Sequence, residues 1–260
     1  MKNFRILEIN GGTVTESDSI RLEIPADLSA YTNAQIDDYG GRKRRDYLWQ
    51  QTSGAELTLQ ARFSHPADQL SGTAGFGFWN APFGDPTTPW PTLPQATWFF
   101  AAAPPSDLPL NPKGAGQGFF ASTLDATTMR AIALAPLAPP VVLLNHIPAF
   151  RRTVWPKVQQ RLGMSYTQID QIDITDWHTY RLVWNAFGSQ FYIDDKLLSS
   201  VPHSPRGPLG FVCWIDNQFM RLTPTGRMSA GAIMTPYTQW LEINDLSLKP
   251  NLTAPKKQQS

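Results

Sequence analysis

The chain has 260 residues with 22 Lys or Arg and 21 Asp or Glu, which gives a formal net charge of +1 at pH 7. This balance excludes a broad basic surface for nucleic acid, and no apolar run is long enough for a membrane-spanning helix. The one cysteine, Cys213, excludes an internal disulfide, and residues 1–20 lack the apolar run of a secretory signal, so we expect a cytoplasmic location.

Short segments with the composition of β-strands begin the chain. Residues 4–9 and 20–24 are strand-like, and a polar segment, residues 33–41, separates them from another strand-like segment at 47–51. Apolar and polar side chains then alternate along residues 55–63. This alternation predicts a strand with one face in the core and the other in solvent.

Two aromatic segments follow, at residues 75–79 and 96–100, and both are predicted strands. If the two phenylalanines of the first segment face the core, its two glycines and Trp79 point to the opposite face. Glycines there would leave room for a ligand. Trp98 falls on one face of the second strand together with small and aromatic side chains.

The loops are rich in proline. Residues 82–91 and 104–112 are too polar and too kinked for strands, yet the first loop carries Phe83 and Trp90. Proline stiffens such a loop, so its rings would be held over a binding groove. The alternative is that these rings fold back and cover an edge of a sheet.

The second half of the chain adds strands and one helix. Residues 155–162 are predicted to be helical, with Pro156 in the first turn. The further strand-like segments outside the hairpin described next are residues 118–122, 141–145, 209–215 and 240–248. Many short strands with one short helix predict an all-β sandwich rather than alternating βα units.

Residues 176–184, Asp-Trp-His-Thr-Tyr-Arg-Leu-Val-Trp, and residues 190–198, Gln-Phe-Tyr-Ile-Asp-Asp-Lys-Leu-Leu, predict an antiparallel hairpin. The pair resembles the W-H-x-Y-x-x-x-W and x-Y-I-D-x-K hairpin of the concanavalin A-like lectin and glucanase superfamily, which includes the family-16, laminarinase-type glycoside hydrolases. The resemblance implies a two-sheet concanavalin-like jelly roll whose concave sheet holds a sugar. We expect a single domain over residues 1–249 and a disordered tail at 250–260.

The resemblance also implies where catalytic acids would lie. In the laminarinase-type enzymes they come from one strand with the pattern Glu-x-Asp-x-x-Glu, or a pattern one residue shorter, which follows the strand that resembles residues 75–79. Retaining glycosidases need two carboxylates about 5 to 5.5 Å apart. Residues 95–101, Gln-Ala-Thr-Trp-Phe-Phe-Ala, contain no carboxylate. The sequence therefore predicts that the catalytic motif of the family is lacking.

Alternation on the strand at 209–215 predicts that Trp214 and Asp216 share the groove face, whereas Cys213 fills the core. Rings suit the C–H faces of sugars, and carboxylates and amides suit their hydroxyl groups. The predicted ligand-binding residues are Trp79, Trp90, Trp98, Trp214, Asp216 and Asn217. The alternative for any one of these tryptophans is a place in the core.

Other chemistries have weaker support in the sequence. The four histidines are far apart and lack zinc spacing, so no metal or cofactor is predicted. His146 is a candidate acid or base with Asp85 or Asp216, if the fold brings them together. The basic run at 42–45 is interpreted as a solvated loop, partly neutralised by Asp46 and by residues 37–38.

The leading hypothesis is non-hydrolytic binding of a carbohydrate or a glycosylated ligand on the concave face, with no nucleic-acid or membrane partner. One alternative is a glycoside-active enzyme, a hydrolase or lyase, with relocated carboxylates, of which Asp85 and Asp216 are the first candidates. Another is an enzyme for a hydrophobic substrate that is not a sugar, in which His146 and an aspartate carry protons.

Overall fold

The structure is a computed structural model. It describes residues 4–82, 90–108, 116–128, 143–161, 164–222 and 228–251. The described chain forms two seven-stranded antiparallel sheets, here called sheet A and sheet B. A two-stranded ribbon, β14 (Gln218–Leu222) with β15 (Met228–Ala232), extends from the end of sheet A.

Both sheets are built from strands that are distant in sequence. In spatial order, sheet A contains β1 (Arg5–Ile9), β4 (Asn33–Asp37), β13 (Gly210–Asp216), β6 (Thr73–Trp79), β7 (Gln95–Ala102), β8 (Gly118–Asp125) and β9 (Ser165–Gln168). Sheet B contains β12 (Lys196–Val201), β11 (Gly188–Ile193), β10 (His178–Asn185), β5 (Ala55–Phe63), β16 (Gln239–Lys249), β3 (Ile20–Ile24) and β2 (Thr13–Glu16).

The main core lies between the two sheets. Apolar side chains from the inward positions of both sheets fill it, as the alternation along β5 predicts. The inward positions of β6 and β13 contribute Phe76, Phe78, Phe211, Cys213 and Ile215. Burial of each large apolar side chain stabilises the fold by about 1.5–3 kcal/mol, so this layer is the main source of stability. The predicted all-β sandwich is confirmed.

The hairpin that carries the family resemblance forms, but its predicted second strand, 190–198, is split by a turn at Asp194 and Asp195 into β11 and β12. Strands β10 and β11 pair from Tyr180 with Ile193 to Asn185 with Gly188. The Asn185 side chain accepts a hydrogen bond from the Phe187 backbone N–H at 2.9 Å, and Gly188 adopts a φ of 140°. An Asx-type bond followed by a glycine at positive φ accounts for the tight turn.

Two segments of the first half differ from the prediction. Residues 33–41, interpreted as a polar separator, contain β4, a strand of sheet A in which every residue is buried. Its polar side chains are tolerated because they bond to one another and to Arg5. Residues 47–51 are not a strand; a 3-10 helix at Arg44–Asp46 precedes them, and Trp49 makes an isolated bridge to Leu209.

The helix begins earlier than predicted. Helix α1 covers Pro148–Arg161, so Pro148, rather than Pro156, occupies the first turn. The predicted strand at 141–145 is also wrong for its described part, because residues 143 and 144 are helical. No helix of the described chain is long and apolar enough to cross a bilayer. Most of the predicted tail, residues 252–260, lies outside the described residues.

Candidate functional site

The outer face of sheet A carries a second cluster of apolar side chains, separate from the main core. We call it the aromatic face and define it by its rings: Tyr39, Tyr47, Trp79, Trp98, Phe100, Phe120, Tyr166 and Trp214. Strand alternation explains it, because β6, β7 and β13 place their inward side chains in the main core. The structure thus places three of the predicted tryptophans together, outside the space between the sheets.

The rings at the centre of the aromatic face stack on one another. Trp79 and Trp214 are almost parallel, with an interplanar angle of 3° and centroids 6.1 Å apart. Trp98 lies 6.1 Å from Trp79, 5.6 Å from Trp214 and 5.2 Å from Phe100. These separations fall in the range of favourable aromatic pairs. Trp214 is only 6% exposed, whereas Trp79 and Trp98 are partly exposed, so the latter two offer ring surface to a ligand.

The glycines of β6 do not leave the space that the sequence predicted. A Cβ on Gly75 would lie 2.3 Å from the Phe99 carbonyl oxygen and 3.2 Å from the Trp214 ring. Gly77 has a φ of 155°, and a Cβ there would lie 2.5 Å from the Thr97 carbonyl oxygen. These positions require glycine because β7 and the Trp214 ring approach the β6 backbone closely.

A polar network missed by the sequence prediction orients Trp79. The Trp79 Nε1–H donates to the Tyr39 hydroxyl at 2.9 Å, and Gln35 Nε2 donates to the same hydroxyl at 3.1 Å and to Asp37 Oδ2 at 2.8 Å. Tyr39 also stacks on Tyr47, with centroids 4.9 Å apart. The ring of Trp79 is therefore held both by stacking and by a hydrogen bond.

Asp37 is fully engaged within the fold. Its Oδ2 accepts from Arg5 Nε at 2.9 Å and Nη2 at 2.7 Å, and its Oδ1 accepts the Tyr39 and Gly40 backbone N–H groups. Burial raises the pKa of Asp37, although the bonds from Arg5 and Gln35 oppose the rise. This carboxyl group fixes β1 and the end of β4 and is not free to act on a ligand.

Asp216 is the second buried carboxyl group of the aromatic face. Its Oδ1 accepts from the Thr73 hydroxyl at 2.7 Å, the Thr73 backbone N–H at 3.3 Å and the Gln218 backbone N–H at 3.1 Å. Within the described chain, Oδ2 has no hydrogen-bond partner. Burial raises the pKa of Asp216 to about 7, against the effect of these bonds. Burial and the Asp216 charge also raise the pKa of Tyr31, which belongs to the same end of the face.

Asn217, a predicted ligand-binding residue, is fully buried. Its Oδ1 accepts the Thr32 backbone N–H at 2.8 Å, and its Nδ2 donates to the Ala30 and Ile233 carbonyl oxygens, both at 2.9 Å. The side chain thus joins residues 30–32 and Ile233 to the end of β13. Because both of its N–H bonds are used, it has no donor left for a ligand.

Trp90 lies at the edge of the face, 80% exposed, on a loop fixed by Arg44. The Arg44 guanidinium donates to the carbonyl oxygens of Asn80 at 2.8 Å, Ala81 at 2.7 Å and Trp90 at 2.6 Å. Trp90 therefore neither folds back onto the sheet nor depends on proline alone for its position. Phe83, from the same loop, lies outside the described residues.

The basic run at 42–45 differs from the prediction of a solvated loop at Arg44, whose guanidinium bonds to carbonyl groups. Arg45 stays exposed, 3.8 Å from Asp46. Asp37 does not neutralise the run, because it binds Arg5. Asp38 accepts the Trp49 indole N–H at 2.6 Å. Burial raises the pKa of Asp38 to about 6, and the charge of Arg42, a member of the run, acts on it to lower its pKa.

Of the remaining catalytic candidates, the structure describes His146 and Asp216. His146 is exposed in the turn before α1, whereas Asp216 is buried and bonds to Thr73 and Gln218. Asp85 lies outside the described residues. The part of the chain that the structure describes holds no group of three or more His, Cys, Asp or Glu side chains arranged for a metal ion.

The strand next to β6 is apolar on the aromatic face. The outward positions of β7 are Ala96, Trp98, Phe100 and Ala102. In the register of the sheet, Asp216 pairs with Asn33, which lies four residues from Asp37 on β4. Four residues along β4 and one strand across, the Cα atoms of Asp37 and Asp216 are about 14 Å apart. Because Arg5 also holds the Asp37 carboxylate, these two groups do not form the close carboxyl pair that retaining glycosidases use.

Two buried polar atoms on the aromatic face have no hydrogen-bond partner in the described chain. They are Trp98 Nε1 and Ser122 Oγ. Trp98 on β7 pairs directly with Ser122 on β8. Buried polar groups are normally bonded, so two orphaned groups on facing residues require an explanation.

No protein-family model matches the chain, and no curated protein sequence matches it. Solved structures do match. The carbohydrate recognition domain of Emp47p aligns with a TM-score of 0.50 at 10% identity, covering 96% of this chain and 89% of that domain. The alginate lyase AlyC3 in complex with dimannuronate aligns with a TM-score of 0.47 at 8% identity, covering 89% of this chain and 74% of the lyase.

A third similar structure is an endo-β-galactosidase from Clostridium perfringens that releases GlcNAcα1-4Gal, with a TM-score of 0.45 at 12% identity. This alignment covers 96% of this chain and 59% of the galactosidase. An alignment with a sialidase covers 96% of this chain but only 17% of the sialidase. At these identities the similarity concerns the fold alone. The predicted concanavalin-like jelly roll is confirmed.

Proposed function

We propose that the chain binds a carbohydrate or a glycosylated ligand on the aromatic face and does not hydrolyse it. The observation that carries this proposal is the stacked cluster around Trp79 and Trp98, whose rings are partly exposed. Sugars present C–H faces that stack on aromatic rings, and stacking on an ordered ring costs little conformational entropy. Hydrogen bonds and packing already hold Trp79 in place.

Polar groups beside the rings suit hydroxyl groups of a sugar. The Oδ2 atom of Asp216 lies at one end of the face without a bond in the described chain, next to the Thr73 hydroxyl and Tyr31. At the opposite end, Trp90 projects from the loop that Arg44 fixes. A ligand that spans the face would meet rings in the middle and polar groups at the Asp216 end.

The arrangement of acids supports binding over hydrolysis. β7 presents no carboxylate to the face, and Asp37 is bound to Arg5 and to backbone N–H groups. Hydrolysis of a glycosidic bond needs an acid and a second carboxylate placed across one bond. With Cα atoms about 14 Å apart and the Asp37 carboxylate held by Arg5, Asp37 and Asp216 do not provide this pair.

A second candidate function is a glycoside-active enzyme in which Asp216 donates a proton. The observation in its favour is the buried carboxyl group whose pKa is raised to about 7, a property frequent among catalytic acids. This candidate needs a second acid or base at Asp216, for which Asp85 is the residue expected from the sequence. The hypothesis that uses His146 has no comparable observation.

The test is a thermal-shift screen of the whole chain against neutral and acidic oligosaccharides, with Trp79→Ala and Trp177→Ala as variants. Trp177 is the matched control, since it is a tryptophan, 39% exposed, that directly precedes β10 of the other sheet, and Arg62 lies over its ring. A ligand that binds only the folded state raises the Tm. We expect a rise for wild type and Trp177→Ala that is lost in Trp79→Ala.

Two outcomes contradict this expectation. If no oligosaccharide raises the Tm of the wild-type chain, the proposal is wrong. If the wild-type chain releases new reducing ends or unsaturated sugars from a bound oligosaccharide, and Asp216→Asn does not, the second candidate replaces it.

A further inference from the structure

We infer that the aromatic face binds an uncharged saccharide, and that Trp98 Nε1 and Ser122 Oγ together bind one of its hydroxyl groups. This inference rests on the proposed function and adds the class of ligand and a polar contact. Its basis is the pair of orphaned polar atoms on β7 and β8 and the charges of the outward side chains of sheet A.

The orphaned pair has the geometry of a binding point. Trp98 and Ser122 face each other in register on neighbouring antiparallel strands, and Ser122 is fully buried. Directly opposed residues have Cβ atoms about 4.5–5.5 Å apart, so one oxygen atom can contact both side chains. Leaving both polar atoms unbonded costs free energy, which a ligand recovers when it bonds to them.

The donor and acceptor properties of the two groups favour a hydroxyl group. The indole N–H of Trp98 only donates, whereas the Ser122 hydroxyl both donates and accepts. A sugar hydroxyl can accept from Trp98 and donate to Ser122, so one group satisfies both atoms. An apolar ligand would leave them unsatisfied.

The charges of the face argue against an anionic ligand. The outward positions of the seven strands of sheet A carry only three acidic or basic side chains, Arg5, Asp37 and Asp216. The guanidinium of Arg5 is occupied by Asp37. No free cation therefore remains on these strands, and an acidic sugar would be repelled by Asp216 whenever that group is ionised.

A ligand reaches the two atoms through the Trp98 side chain. Nε1 and the Ser122 hydroxyl lie below the surface of the cluster, while the Trp98 ring is partly exposed. We expect a tilt of this ring to expose both atoms on the outer face of β7 and β8. The inference therefore predicts that a bound saccharide changes the environment of Trp98.

The test compares wild type, Ser122→Ala, Trp98→Phe and the control Ser200→Ala by isothermal titration. The probes are uncharged cello-, laminari- and manno-oligosaccharides and acidic oligoalginate and oligogalacturonate. Ser200 is a matched control because it lies on β12 of the other sheet. We expect the tightest binding for an uncharged probe, weakened roughly two- to tenfold by Ser122→Ala and by Trp98→Phe but not by Ser200→Ala.

Thermal unfolding separates this role from a structural one. Ser122→Ala removes an orphaned polar atom, so its Tm should equal or exceed that of wild type while its affinity falls. A lower Tm, an unchanged affinity for the uncharged probe, or tighter binding of an acidic probe would each overturn the inference and leave the proposed function standing. Absence of binding to every probe would overturn both.

Discussion

The Asp216 carboxyl group combines burial with a free oxygen, which makes its protonation state important for stability. Burial raises its pKa to about 7, above the 3.8 that is usual for an aspartate side chain. The folded chain therefore keeps a proton on Asp216 over a range of pH in which the unfolded chain has lost it. Because protonation is linked to folding, the stability that Asp216 contributes is fully present below pH 4 and decreases as the pH rises towards 7.

Replacement of Asp216 by Asn should flatten the pH dependence of stability. The shift of the Asp216 pKa corresponds to about 4 kcal/mol of unfolding free energy lost between pH 4 and pH 8, which Asn does not lose. Urea unfolding at pH 4 and pH 8 measures this difference. The pKa of Asp38 is raised to about 6, so this group contributes in the same direction. Asp38→Asn should therefore remove a separate part of the pH dependence of stability. An Asp216→Asn variant with the wild-type pH dependence would contradict the assignment.

Individual residues of the face were predictable where strand alternation applied. Trp79, Trp98, Trp214 and Asp216 were expected on one face because apolar neighbours occupy the other face of each strand. Asn217 follows directly after β13, where alternation no longer applies, and backbone groups bind its amide. The sequence could not show that Ser122 Oγ and Trp98 Nε1 lack hydrogen-bond partners, because the partners of a polar group depend on contacts across the sheet.

At the scale of elements, the loop that carries Trp90 depends on one side chain. Arg44 binds carbonyl groups on both sides of residues 82–89, and the Thr92 backbone N–H donates to the Pro82 carbonyl oxygen at 2.9 Å. Three charge-assisted bonds fix the two ends of the loop at one point. Arg44, in the 3-10 helix Arg44–Asp46, thus holds Trp90 in position.

We expect Arg44→Ala to loosen this loop without unfolding the sheets. Loss of the guanidinium removes part-buried bonds to the Asn80 and Ala81 carbonyl groups, each worth about 1.5–3 kcal/mol, and a weaker, exposed bond to the Trp90 carbonyl group. Hydrogen exchange at the Thr92 amide should accelerate, while exchange in β5 stays unchanged. Arg45→Ala is the matched control, since Arg45 contacts only Asp46 among the described residues. Equal exchange in both variants would show that Arg44 does not hold the loop.

The elements themselves were predictable to different degrees. β5, β6, β7 and the β10–β11 hairpin have clear alternation or aromatic content, and they form as expected. β4 was missed because its sequence is polar, and its burial depends on Arg5 from another strand. The start of α1 was missed because the segment before it is apolar enough to suggest a strand.

At the scale of the whole molecule, one face of sheet A packs in the main core and the other carries the aromatic face, where we propose that the ligand binds. Neighbouring residues on β7 illustrate this. Phe99 is fully buried in the main core, where it makes edge contacts with Tyr180 at 5.1 Å and Phe191 at 5.3 Å from sheet B. Trp98, one residue earlier, belongs to the aromatic face and touches only rings of that face among the aromatic contacts described.

This division predicts opposite effects for two adjacent substitutions. Phe99→Ala leaves a cavity between the sheets and should lower the free energy of unfolding by about 3–5 kcal/mol, with saccharide affinity retained in the folded fraction. Trp98→Phe keeps most of the ring packing, so it should cost about 1 kcal/mol of stability and reduce affinity instead. Urea unfolding and titration with the tightest saccharide probe measure both quantities. If Trp98→Phe proves the more destabilising of the two, the outer rings are a second core that holds the fold together, and the binding surface must lie elsewhere.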